Sequence, residues 1–180
     1  MKRLRLLPIG DLDASLLAEL GPALQDLFLV PCEAVDTRFS ADFAYHRERQ
    51  QFHSSEILQA MQPYVTANCW RLLGVTSVDL YIPILTFVFG EAQMGGPCGV
   101  VSMHRLHQEF YGLPPDRAVL RERLLKEAAH EIGHTLGLTH CTNYQCIMAP
   151  SHAVEWIDLK AKTLCDSCGA RVAASRSAER

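Results

Sequence analysis

His130 and His134 stand four residues apart with Glu131 between them, and His140 follows six residues on. On a helix, a spacing of four puts both imidazoles on one face with the reach to share an ion. Glu131 falls about 100 degrees round the helix from His130, beside such an ion rather than on it. From there its carboxylate can hold a metal-bound water and take its proton, the general-base role in H-E-x-x-H hydrolases. A tetrahedral catalytic zinc needs a third protein ligand and one open position, and His140 is the candidate third. A helix continued past His134 would point position 140 elsewhere, so the chain must turn. Gly137 is where it can, because glycine adopts positive φ without steric penalty.

A second constellation begins at the next residue. Cys141, Cys146, Cys165 and Cys168 form two close pairs of thiols, a donor set that suits a closed, structural tetrahedral zinc. The chain has seven cysteines, an odd number that argues against a complete disulfide framework. In a reducing compartment a cluster of this kind more often binds metal. Two zinc ions per chain are therefore expected, one catalytic and one structural. The isolated Cys32, Cys69 and Cys98 read as small buried hydrophobes. His46, His53, His104, His107 and His152 have no ligand spacing and read as surface or internally satisfied side chains, with His152 the one near the site in sequence.

Positioning these groups requires a scaffold, and the apolar pattern predicts one. Strands are expected at Leu4–Leu6, Phe28–Val35, Val75–Ile82, Leu85–Phe89 and Val100–Met103. A helix is expected over 14–27, and a second from Glu56 towards Val65 behind a Ser54–Ser55 cap. The long helix from Pro115–Asp116 to about Leu136, stopped by Gly137, carries the histidines. The alternation predicts an α+β fold over residues 1–138, a mixed sheet packed on helices. Residues 139–180 read as a small loop-rich part that metal binding would help to fold. The whole chain, 1–180, is expected to form a single domain.

Composition narrows the function classes. With 180 residues, 48% of them apolar, one core of ordinary size is possible. A net charge of −3 and no long basic stretch exclude a broad field for nucleic acid or anionic membrane. The bases at Lys2, Arg3 and Arg5, and those at Arg171 and Arg176, read as solvated ends. The apolar stretch after Arg5 is too short for a secretion signal, and Val78–Phe89 is interrupted by Asp79 and Pro83. A cytoplasmic monomer is expected.

The motif H-E-x-x-H-x-x-G-x-x-H with a following methionine, Met148, resembles the metzincin signature. The adjoining Cys141, Cys146, Cys165 and Cys168 narrow the resemblance to the archaemetzincins over residues 130–168. That resemblance implies a metzincin-like (zincin) fold: a mixed, twisted sheet with an active-site helix, then a small zinc-stapled C-terminal subdomain, 139–180. By position it implies His130, His134 and His140 as catalytic zinc ligands, Glu131 as general base, Met148 as the floor under the metal, and the four cysteines as a second zinc site. It also implies metallopeptidase activity, aminopeptidase-like in some members. Ala149-Pro150-Ser151-His152 departs from the Asn/Ser-rich turn expected after Met148. The expected reaction is hydrolysis of a peptide bond in a peptide or protein substrate, held extended against Leu85–Phe89 or the segment after Gly90. The same residues also allow a zinc-organised binding module without activity, or a hydrolase of non-peptide amides.

Overall fold

The computed structural model describes residues 2–37 and 39–178. A five-stranded sheet forms its centre, in the order β2 (Cys32–Ala34), β1 (Arg3–Ile9), β5 (Cys69–Thr76), β8 (Cys98–Ser102) and β7 (Gly90–Ala92). The first four run parallel; β7 closes one edge antiparallel to β8. A small second sheet joins β3 (Tyr45–His46), β4 (Gln51–His53) and β6 (Leu80–Tyr81).

All eight residues of β5 are buried, as expected of a parallel strand covered on both faces. On β1, Leu4 and Leu6 face one apolar cluster while Leu7 and Ile9 face the other. The first cluster is covered by α1 (Ala14–Phe28) and α3 (Arg117–Thr135), the second by α2 (Ser54–Met61). Asp116 caps α3 by accepting the backbone N–H groups of Ala118 and Val119, which satisfies two donors with no partner inside the helix.

Several elements differ from the sequence expectation, each for a visible reason. The apolar stripe of α1 runs on to Phe28, which is fully buried, so the helix consumes the start of the expected strand. Leu29 ends it in the left-handed region at φ 52°, leaving only Cys32–Ala34 extended. The Val75–Ile82 strand breaks after Thr76, where Asp79 is turned aside by Arg105 and Gln51. Leu85–Phe89 is not a strand. Arg49 and Gln51 take the carbonyls of Leu85 and Thr86, which a ladder would need, and only Val88 bridges to Leu80. Ser54 and Ser55 do not cap α2. His53 holds the cap position, and both serine hydroxyls donate to Glu91 on β7. Pro63 then diverts the chain into a 3-10 turn, Gln62–Tyr64, short of Val65.

The ends are not free either. Arg3 and Arg5 lie in β1 and pair with Glu33. The C-terminal part is not mainly loop: it contains α4 (Val154–Leu159) and α5 (Asp166–Ala178). From α5, Arg171 donates to the Gly137 carbonyl and Arg176 to that of Phe28, so two basic side chains sit at the ends of α3 and α1. Ile147, Met148, Ile157 and Val172 share the cluster under α3, so this part adds to the main core.

Buried charge fastens α4 to α3. Arg123 makes two 2.7 Å bonds to Asp158, and Lys160 lies 3.0 Å from Glu127 with both side chains out of water. Replacing one member of such a pair strands the other charge, which typically costs about 3–5 kcal/mol. Lys160→Met is therefore expected to lose stability on that scale in urea titration, and Lys160→Met/Glu127→Gln distinctly less. Equal losses in the two proteins would refute the pairing.

Candidate metal centres

The last two turns of α3 carry His130, Glu131 and His134. Where α3 ends, the Gly137 N–H bonds the His134 carbonyl at 2.9 Å and the Leu138 N–H bonds that of Gly133 at 3.0 Å. This is a Schellman stop, with Gly137 at φ 80° as its left-handed residue. The turn aims the Leu138 carbonyl back at the helix, where it accepts from His134 Nδ1 at 2.7 Å. His130 Nδ1 likewise lies 2.8 Å from the Ile147 carbonyl. A carbonyl can only accept, so both rings carry their proton on Nδ1 and present the Nε2 lone pair. Those two Nε2 atoms face each other at 3.0 Å. Converging lone pairs repel unless a cation lies between them.

His140 completes the group, its ring centroid 5.3 Å from that of His130 and 5.0 Å from that of His134. One ligand atom from each of the three can be chosen so that all lie within 4.8 Å of one another. Burial holds His130 well below the usual imidazole pKa, helped by the Lys160 charge, and lowers His134 and His140 as well. Neutral rings are the form a metal requires.

Glu131 is buried beside this triad. Desolvation, then the neighbouring Glu127, pushes its carboxyl well above the ordinary carboxylate range. It lies so close to β7 that a Cβ at Gly90 would come within 2.7 Å of its carboxylate. Met148 lies so close to α3 that a Cβ on Gly133 would stand 2.2 Å from its sulfur. Gly90 and Gly133 are thus contact positions that motif reading passed over, although a glycine inside a helix, as at 133, is itself a sign of close approach. Glu127, Lys160 and Ser151 were missed too. Ser151 donates to Glu127 at 2.9 Å, and Lys160 shares that same carboxylate oxygen. No short motif joins positions 127, 151 and 160.

The four cysteines named from sequence come together. Each Sγ lies within 4.8 Å of the other three, and those of Cys141 and Cys165 stand 3.8 Å apart. With zinc–sulfur bonds of 2.3 Å, a tetrahedron has edges of about 3.8 Å, so the donor set fits. The backbone N–H of Cys168 holds the Cys165 thiol down to about 7, while burial raises Cys146 and Cys168. The Cys141 N–H bonds the Met148 carbonyl at 2.8 Å, closing the loop between them. Cys69 and Cys98 are buried and Cys32 half-buried, all away from both groups.

A cleft of about 620 Å³ opens over the histidines, walled by 85–92 on one side and by Glu127 and 150–152 on the other. His152 stands exposed on its rim against Trp156, whereas His46, His53, His104 and His107 lie outside it. No helix among the described residues is long and apolar enough to cross a membrane.

The lowered imidazole pKa values set a pH dependence. Ordinary histidines protonate as pH falls through 6.5, and each would then weaken metal binding up to about tenfold per pH unit. Here the rings stay neutral further into acid. Zinc affinity at the histidines, read by pH-corrected chelator competition, is expected to stay nearly flat from pH 7.5 to 6. A steep fall beginning at 6.5 would contradict the burial argument.

The family model of peptidase family M54 matches residues 41–174. An archaemetzincin of Methanocaldococcus jannaschii is 42% identical over 166 residues, covering 92% of this chain and 90% of the relative. Among solved structures, a zinc-dependent peptidase from Methanocorpusculum labreanum superposes with a TM-score of 0.86 at 28% identity, covering 94% of this chain and 99% of that one. The archaemetzincin of Methanopyrus kandleri gives 0.83 at 30% identity, covering 98% and 96%. Fold, motif and these likenesses agree: the chain belongs to the archaemetzincins, zinc-dependent metallopeptidases of family M54.

Proposed function

We propose that the chain hydrolyses peptide bonds at the histidine triad, with His130, His134 and His140 as zinc ligands and Glu131 as general base. One observation carries the reading: three imidazoles with lowered pKa converge at the floor of an open cleft, with the buried Glu131 carboxyl beside them, while the other buried carboxylate there, Glu127, is taken by Lys160 and Ser151. Zinc held there would lower the pKa of a bound water towards neutrality and polarise the scissile carbonyl. Glu131 takes the water's proton and passes it to the leaving amine. A carboxyl whose pKa burial has raised accepts a proton more readily than an exposed one, which suits that role. Met148 packs under the histidines as an apolar floor. The four thiolates would hold a second, structural zinc, tying α5 to the loop after His140.

The substrate lies extended along β7. Gly90, Glu91 and Ala92 line the cleft, and among the described residues β7 pairs only with β8, which leaves its outer edge to accept a further strand. This replaces Leu85–Phe89 as the strand-addition site, since those carbonyls are occupied by Arg49 and Gln51.

The test is digestion of a diverse peptide library by zinc-loaded protein beside a Glu131→Ala control, read by mass spectrometry. Cuts that need Glu131 are expected, with kcat reduced about a hundredfold or more in the control. Their positions separate end-trimming from internal cleavage. Intact peptides after long incubation with protein holding two zincs would favour a binding module or a non-peptide amide instead.

A further inference from the structure

Leu85 and Met94 line the zinc cleft, yet they are 50% and 58% exposed. The backbone under each is fastened without the help of these side chains. Arg49 donates to the Leu85 carbonyl at 2.7 Å and to that of Thr86 at 3.1 Å, and Gln51 adds a 2.9 Å bond to Thr86. Beside Met94, the Gly95 N–H bonds the His134 carbonyl at 2.9 Å. The fold gains little from apolar groups at these positions, and water opposes them. One stands before β7 in the chain and one after it, and the wall between them includes Phe87, Val88 and Ala92.

Two carboxylates of the same cleft are already hydrogen-bonded within the protein. Glu91 accepts from Ser54 and Ser55. Glu127 is neutralised by Lys160 and bonded by Ser151. Glu131 is reserved for the water by the reading above. An acidic substrate side chain would therefore lose its hydration on this wall beside like charge, and a basic one would have to compete with the hydroxyls that hold Glu91, whereas an apolar one would cover Leu85 or Met94.

We infer that the cleft selects extended peptides bearing large uncharged apolar side chains, with Leu85 and Met94 as the selecting contacts. The inference rests on the peptidase reading for what happens after binding, but the selection itself is a binding property. It can be measured on zinc-loaded Glu131→Ala protein, which keeps the cleft and lacks the base. Fluorescence anisotropy would compare a labelled peptide centred on Leu and Phe with one of equal length centred on Asp and Lys. The apolar peptide is expected to bind at least about tenfold tighter. Leu85→Glu and Met94→Glu should each remove most of that difference. Both side chains are exposed on a fastened backbone, so melting temperature should hardly move; Leu85→Ser and Met94→Ser provide the same comparison without an added charge. Equal binding of the two peptides, or a preference that survives all these substitutions, would overturn the inference. Failure of the peptidase reading would show differently, as selective binding to a protein whose intact Glu131 form leaves the peptide uncut.

Discussion

The site depends on one chain reversal, at Gly137. There the helix carrying His130 and His134 must stop within three residues of the second histidine and send the chain back over its own end. The two Schellman bonds perform that stop, and only a residue at ease with φ near 80° can sit at its corner. The same turn supplies the Leu138 carbonyl that selects the tautomer of His134, and it delivers His140 to the third position. Ligand, ligand orientation and chain direction are thus consequences of a single backbone conformation. Because Cys141 directly follows His140, the reversal also begins the thiol cluster. The two candidate metal centres share a loop.

The remainder of the C-terminal part holds that loop against the helix. Ile147 contributes the carbonyl for His130, and Met148 fills the space that Gly133 leaves open. Asp158 and Lys160 reach back to Arg123 and Glu127 on α3. Burying the charges of Arg123, Glu127 and Lys160 is unfavourable in itself, and each is tolerated because its partner is fixed at hydrogen-bonding distance. Their arrangement serves geometry: it sets the wall containing Ser151 and His152 opposite β7 and leaves a cleft between.

How much of this could be read from the residues depended on the range of the interactions involved. The side chains that converge in the two candidate metal centres were legible because ligand chemistry demands particular residue types at particular spacings, and 130–141 states the histidines and the first cysteine contiguously. The central sheet was legible where apolar runs are long, as in 100–103. Leu85–Phe89 misled because its β-rich composition is overridden by Arg49 and Gln51, 35 to 37 residues distant, which claim its carbonyls. Phe28 misled because α1 needed one more buried residue than its pattern showed. Helix α5 was missed because its stripe is weak; Cys168 and Val172 are its buried contacts. The Glu127–Lys160–Ser151 group has no local signature, since nothing in one-dimensional spacing says that positions 24 and 33 residues apart meet.

Through the His140–Cys141 step, the thiol cluster and the histidine triad are expected to act as one mechanical unit. Cobalt(II) substitution tests it directly, because a thiolate site gives an intense sulfur-to-metal charge-transfer band that a histidine site lacks. In Cys168→Ser, a cysteine outside the shared loop is altered. That protein should show a weakened thiolate band and bind cobalt at the histidines at least about tenfold more weakly, the scale of a lost supporting partner. A weakened band with histidine-site affinity unchanged would show that His140 is held in place without the cluster, and would contradict that coupling.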